Sequence, residues 1–80
     1  MTTEQIYAKL TSIFREVFDN DDIVLTAQTT AADIDDWDSV NHIRLMISIE
    51  AEFRIKFTVD EIAEAADVGE FVSLIRGKLS

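Results

Sequence analysis

The chain has 80 residues, of which 7 are basic and 16 acidic, for a net charge of −9. This length suits one small domain, and the charge excludes nucleic acid and anionic membranes as natural partners. Cysteine is absent, so no disulfide or thiolate metal site holds the fold. The sequence shows no basic start followed by an apolar run, so we expect neither export nor membrane spanning. We therefore expect one domain over residues 1–80, monomeric and cytoplasmic.

A first helix is predicted near the N-terminus, where apolar residues recur at helical spacing. These residues are Ile6, Leu10, Ile13, Phe14, Val17 and Phe18. Thr2 and Gln5 have the spacing of a capping box at its start. The Asp and Asn side chains of residues 19–22 compete for backbone hydrogen bonds and predict its end. Residues 19–38 then form a long connection, which we interpret as an ordered loop anchored by apolar side chains.

A second helix is predicted from a cap at Asp38 to about Phe53, with Ser39 as its first residue. One apolar stripe on this helix consists of Val40, Ile43, Met46, Ile47 and Ala51, widened by Leu45, Ile49 and Phe53. So broad an apolar pattern predicts a central helix that is contacted from more than one side.

Two further helices are predicted from their caps. Thr58 and Glu61 have capping-box spacing and begin a short helix that ends at about Ala65. Asp67 and Glu70 cap the last helix, whose apolar residues are Val68, Phe71, Val72, Ile75 and Leu79. The predicted fold is all-α: a small four-helix bundle of three main helices and one short helix, with a long loop between the first two.

Ser39 is the residue that best suits covalent modification. Asp38 takes the capping role and leaves the Ser39 hydroxyl free on the first turn of the helix. A phosphate ester there meets unpaired backbone N–H groups and the positive end of the helix dipole. Asp36 and Asp38 oppose this attraction, so the site suits a phosphodiester attached by another enzyme rather than free phosphate. Trp37 is interpreted as a packing residue at the helix entrance or, alternatively, as a partner contact.

Catalysis by the chain itself, and metal binding, are not predicted. His42 lies three residues after Ser39, but no glycine-rich elbow or oxyanion site surrounds the serine, so no catalytic residue is assigned. We interpret His42 as a surface residue or a partner contact. An acidic cluster precedes the serine: Asp33, Asp35, Asp36 and Asp38. It fails the EF-hand pattern, because Trp37 occupies the fifth position and no glycine follows, so no metal site is assigned.

The pattern resembles the acyl carrier proteins and the related peptidyl carrier domains. The resemblance rests on Asp38-Ser39 at the start of the second helix, on Glu50-Ala51-Glu52-Phe53 at its end, and on the loop, length and charge. It implies that Ser39 receives 4′-phosphopantetheine from coenzyme A through a separate phosphopantetheinyl transferase, which Asp38 helps to engage. Acyl groups are then carried as thioesters between acyl-activating and acyl-transferring enzymes.

The resemblance also implies roles for neighbouring residues. An acyl crevice between the second and third helices would be lined by Val40, Ile43, Ile47 and Ile62, for which ordinary core packing is the alternative. Partner contacts are expected from Trp37, Val40, Asn41, His42 and Arg44.

Several departures from the family, including His42 and the Phe57-Thr58-Val59 entry to the third helix, favour a specialised pathway over general fatty-acid synthesis. The family commonly has glycine at the position of Asp36, leucine at that of Val40 and an acidic residue at that of Arg44. We therefore expect a stand-alone carrier of a specialised lipid, polyketide or related pathway. Two alternatives stay open: an aminoacyl or peptidyl carrier protein, and an unmodified acidic helical adaptor.

Overall fold

The computed structural model describes residues 1–79 and contains four α-helices there. They are α1 (Thr3–Val17), α2 (Ser39–Phe53), α3 (Val59–Glu64) and α4 (Val68–Leu79), with a 3₁₀ turn at Ala31–Asp33 in the connection between α1 and α2. The predicted arrangement of three main helices, one short helix and a long loop is confirmed. No β-strand occurs in these 79 residues, so the short apolar run Ile23-Val24-Leu25 in the loop does not form one.

Capping boxes start α1 and α3 as the spacing predicted. The Thr2 hydroxyl accepts a hydrogen bond from the Gln5 N–H at 3.1 Å, and the Gln5 side chain accepts one from the Thr2 N–H at 2.8 Å. Thr58 and Glu61 repeat this reciprocal pair at 3.1 Å and 2.8 Å. Each box satisfies two backbone donors that the helix itself leaves unpaired.

The core lies between α1, α2, α4 and the long loop. Its buried residues are Ile6, Leu10, Ile13, Phe14, Phe18, Ile23, Ile34, Leu45, Met46, Ile49, Phe53, Ile55, Val68, Phe71, Val72 and Ile75. The short helix α3 contributes no buried residue. Because α1 packs against both α2 and α4, α1 is the central helix of the bundle.

The predicted apolar stripe of α2 is therefore wrong in most of its members. Met46 is buried, but Val40, Ile43 and Ile47 are exposed, as is Ala51. The face of α2 that packs inward carries Leu45, Met46, Ile49 and Phe53. The physical reason is that α1 packs against the side of α2 that carries Leu45 and Ile49, while the side that carries Val40 and Ile47 stays exposed.

The connection between α1 and α2 is held by backbone hydrogen bonds to the start of α4. The Val68 N–H donates to the Thr29 carbonyl at 2.9 Å, and the Gly69 N–H donates to the Ala27 carbonyl at 3.0 Å. A Cβ atom at Gly69 would lie only 3.0 Å from the Ala27 carbonyl oxygen, so glycine permits this close approach. With Ile34 buried as well, the interpretation as an ordered, apolar-anchored loop is confirmed.

Replacing Arg54 by glycine is expected to stabilise the protein. Arg54 ends α2 with a φ of 57°, in the left-handed region, and the next N–H, from Ile55, donates to the Glu50 carbonyl at 3.1 Å. Glycine adopts this conformation without the steric cost that arginine bears, so we expect a gain of about 0.5–1 kcal/mol in the free energy of unfolding. Urea denaturation measures it. Lys56→Gly, at an exposed position without a positive φ, is the control and should give no gain; equal effects of the two changes would contradict the prediction.

Candidate functional site

Asp38 caps the helix that begins with Ser39. The Asp38 backbone lies outside the helix, at φ −106° and ψ −174°, and its carboxylate accepts a hydrogen bond from the Asn41 N–H at 2.9 Å. Ser39 is the first residue of α2 and is exposed. The predicted cap is confirmed, and the Ser39 hydroxyl is not needed to close the helix start.

A tight turn leads into this helix start. Asp36 has a φ of 70°, and its carbonyl accepts hydrogen bonds from the Asp38 N–H at 2.9 Å and from the Asn41 amide at 2.7 Å. Glycine, which the family commonly has here, adopts a left-handed backbone freely, while aspartate is among the few other residues that adopt it readily. Asp36 thus adopts a left-handed conformation at a position where the resemblance predicts glycine.

Trp37 packs into a cluster of aromatic rings contributed by α1, α2 and α4. Its ring centroid lies 5.3 Å from that of Phe14 in an edge-on arrangement, 6.1 Å from that of Phe18 and 6.2 Å from that of Phe71. Its indole also stacks on the His42 ring, at 6.0 Å and 21°. The packing interpretation of Trp37 is confirmed, while direct contact with a partner stays a prediction.

The Trp37 side chain also forms a hydrogen bond to His42. The indole Nε1–H donates to His42 Nδ1 at 3.0 Å. This requires a neutral imidazole with its proton on Nε2. Sequence reasoning missed this pair, although the signal was present: Trp37 precedes the cap and His42 is the fourth residue of the helix, two positions whose side chains often pack together.

An open depression of about 500 Å³ lies beside the serine. Its lining residues are Ala31, Trp37, Asp38, Ser39, His42 and Ile43. It joins the 3₁₀ turn of the long loop to the first turns of α2, so a group attached to Ser39 has protein surface next to it.

The outer face of α2 carries three exposed apolar side chains. Val40 is 68% exposed, and Ile43 and Ile47 are each 60% exposed. Ile62, the fourth residue predicted for the crevice, lies on α3 and packs partly buried against the core. The structure thus brings the first three together on one face. A larger groove, of about 740 Å³ between α3, α4 and Ala27, is lined by none of the four.

Charge is unevenly distributed around this face. Acidic residues precede Ser39, where Asp35, Asp36 and Asp38 are exposed. Within α2, Arg44 is exposed, whereas Glu52 pairs with Lys9 at 3.0 Å and Glu50 accepts a hydrogen bond from the Phe57 N–H at 2.8 Å. The outer face is therefore apolar with one cation, and the acids flank it.

Glu61, on α3, is held in its ionised form by its neighbours. The Thr58 backbone N–H donates to its carboxylate, and the Lys78 ammonium lies 2.9 Å away, so the pKa of Glu61 is lowered. The same ion pair joins α3 to α4, away from Ser39.

Residues 1–79 contain neither a metal-binding cluster nor a membrane-spanning helix. No group of three or more His, Asp or Glu side chains there is arranged to hold a metal ion. None of the helices in that range combines the length and apolar character needed to cross a membrane.

Residues 1–79 form a small four-helix bundle with an exposed serine at the start of α2, which is the arrangement that the resemblance to carrier proteins predicts. A solved structure agrees: the solution NMR structure of a holo acyl carrier protein from Geobacter metallireducens is 46% identical, with a TM-score of 0.87, covering 91% of this chain and 84% of that one. No protein-family model and no curated protein matches the chain. The chain belongs to the acyl carrier protein family.

Proposed function

We propose that this protein is modified with 4′-phosphopantetheine on Ser39 and carries acyl intermediates between the enzymes of a specialised lipid, polyketide or related pathway. The observation that carries the proposal is an exposed Ser39 as the first residue of α2, capped by Asp38. The holo state of the 46% identical neighbour supports it.

The residues around Ser39 fit such a group. The hydroxyl is exposed, the first turn of α2 offers backbone N–H groups to a phosphodiester, and the depression beside it has an apolar lining from Ala31, Trp37 and Ile43. In the transfer, Ser39 Oγ forms a bond to the phosphorus next to pantetheine, the phosphoanhydride of coenzyme A breaks, adenosine bisphosphate leaves, and the hydroxyl proton passes to solvent or the transferase. The attached group supplies the terminal thiol on which acyl groups are held as thioesters.

We further propose that the chain is not an enzyme. A serine nucleophile needs a base with a free lone pair, and His42 Nδ1 already accepts the Trp37 N–H. Partner enzymes then supply all the chemistry, and Asp38, exposed next to Ser39, is proposed to help the transferase engage the site.

The outer face of α2 is proposed to contact those partners. Val40, Ile43 and Ile47 offer apolar area, and Arg44 offers one cation beside them. A partner with an apolar patch and an acidic group opposite Arg44 complements this surface. Sheltering of an acyl chain by the three apolar residues together with Ile62 requires α3 to shift, because Ile62 packs against the core.

Intact-protein mass spectrometry tests the modification. The purified chain is incubated with coenzyme A, magnesium and a broad-specificity phosphopantetheinyl transferase. We expect a gain of one phosphopantetheine, and peptide mapping should locate it at Ser39. The absence of any gain on folded, initially unmodified protein would overturn the proposal in favour of an acidic helical adaptor. The activating enzyme that loads the arm, acyl or aminoacyl, distinguishes an acyl carrier from an aminoacyl or peptidyl carrier.

A further inference from the structure

We propose that Trp37 and His42 are positioning residues for the modification of Ser39. Their stacked, hydrogen-bonded pair fixes the turn that enters α2 and so presents the serine in the conformation that the transferase binds. This inference rests on the proposed modification.

The pair stands at the two positions that control how a chain enters a helix. Trp37 directly precedes the cap and His42 is the fourth residue of α2; side chains at these positions often pack together and fix the entering direction. Here the rings stack at 21°, and the Nε1–H of Trp37 donates to Nδ1 of His42 at 3.0 Å. The contact therefore combines ring packing with a directional hydrogen bond. Asp38 and Ser39 lie in the chain between the two paired residues.

Trp37 also ties this turn to the rest of the bundle. Its ring meets Phe14 and Phe18 of the α1 region and Phe71 of α4. The neighbouring side chains of Asp35, Asp36 and Asp38 are exposed and face solvent. Of residues 35–39, Trp37 is thus the one whose side chain packs into the core cluster, and the position of Ser39 relative to the bundle depends on it.

The hydrogen bond, in addition to ring stacking, fixes the relative orientation of the Trp37 and His42 side chains. Without the Nδ1 acceptor, the partly buried indole N–H loses its partner, and the stacked geometry is no longer the one preferred. A turn that samples other conformations must be ordered when the transferase binds. The ordering cost then appears as a higher KM for the carrier, while the chemical step, performed by the transferase, keeps its kcat.

Three variants separate the hydrogen bond from packing. His42→Phe keeps an aromatic ring but removes the acceptor, His42→Asn places an oxygen near the position of Nδ1, and Trp37→Phe removes the donor. We expect the transferase KM for apo carrier to rise about two- to tenfold in His42→Phe and Trp37→Phe, the factor for one net hydrogen bond, with kcat within about twofold. His42→Asn should recover most of the wild-type KM.

Fluorescence supplies a readout that does not depend on the transferase. Trp37 is the single tryptophan of the chain, so its emission reports this contact directly. His42→Phe should change the emission maximum of the folded protein, and His42→Asn should restore it. Urea denaturation of each variant establishes the folded fraction at the assay temperature.

An unchanged KM in His42→Phe would overturn the inference. An equal rise of KM in His42→Phe and His42→Asn would also overturn it, and so would a rise that the unfolded fraction of the variant explains. Wild-type protein that the transferase does not modify would instead overturn the proposed function itself. The two failures are thus distinguished within one assay.

Discussion

Replacing Ser39 by alanine should abolish attachment of phosphopantetheine while leaving the fold intact. In the proposed modification the Ser39 Oγ joins the group, and no other side chain at the start of α2 carries a hydroxyl. Ser39 is exposed and Asp38 caps the helix, so we expect the free energy of unfolding to change by less than about 0.5 kcal/mol. Intact mass after incubation with the transferase and coenzyme A measures the first effect, and urea denaturation the second.

Ser12→Ala is the matched control for that result. Ser12 is an exposed serine on α1, and its replacement should leave the mass gain unchanged and raise the stability by at most about 0.5 kcal/mol, because alanine is the better helix former. A Ser39→Ala variant that still gains one phosphopantetheine would place the attachment elsewhere and contradict the assignment. A variant that loses modification together with several kcal/mol of stability would show that Ser39 supports the helix start, which the cap at Asp38 argues against.

The helix starts were predictable because capping is local. The side chain of Thr2 reaches the N–H of Gln5, and that of Asp38 reaches the N–H of Asn41, whatever the rest of the chain does. The position of Ser39 on the first turn of α2 follows from the same local rule. This is why the best-defined part of the candidate site, the serine and its cap, could be predicted from the sequence.

The burial of α2 could not be predicted in the same way. Its apolar residues cover two faces, and helical spacing alone does not tell which face a neighbour covers. That choice depends on α1, which packs on the Leu45 and Ile49 side and leaves Val40 and Ile47 exposed. The expectation that this whole apolar pattern is buried failed for this tertiary reason, although α2 also contacts α4 through the His42 and Phe71 rings. The same exposure makes Val40, which the resemblance already assigned to partner contact, and Ile47 parts of the proposed partner surface.

Asp36 and His42 show a second limit. The identity of a residue tells which backbone conformations it tolerates, but it does not tell which one the folded loop imposes. The left-handed backbone of Asp36 and the Trp37–His42 hydrogen bond are therefore evident only in the folded structure. The spacing between Trp37 and His42 was visible in the sequence. The spacing can be interpreted only after the helix cap is assigned to Asp38. Trp37 then directly precedes the cap and His42 is the fourth helical residue, the two positions whose side chains often pack together.

Replacing Phe71 by alanine should cost about 3–5 kcal/mol of stability, as other buried Phe→Ala changes do. Phe71 is 1% exposed, and its ring lies 6.2 Å from that of Trp37 and 6.0 Å from that of His42. A domain of this size has a total stability of about 4–12 kcal/mol, so the variant should be partly unfolded or close to it. Urea denaturation followed by far-ultraviolet circular dichroism measures the change.

Val24→Ala is the control, because Val24 is apolar yet 74% exposed and its replacement should change the stability by less than about 0.5 kcal/mol. The cavity left by Phe71→Ala lies directly beneath the Trp37–His42 pair, so we also expect altered Trp37 emission under conditions where the variant is still folded. A loss below about 1 kcal/mol with unchanged emission would contradict the prediction, since large-to-small changes in a core are felt by the rings packed around them. Such a result would mean that the stability of the bundle and the proposed presentation of Ser39 depend on different residues. We expect both to depend on the contacts of Phe71 with Trp37 and His42.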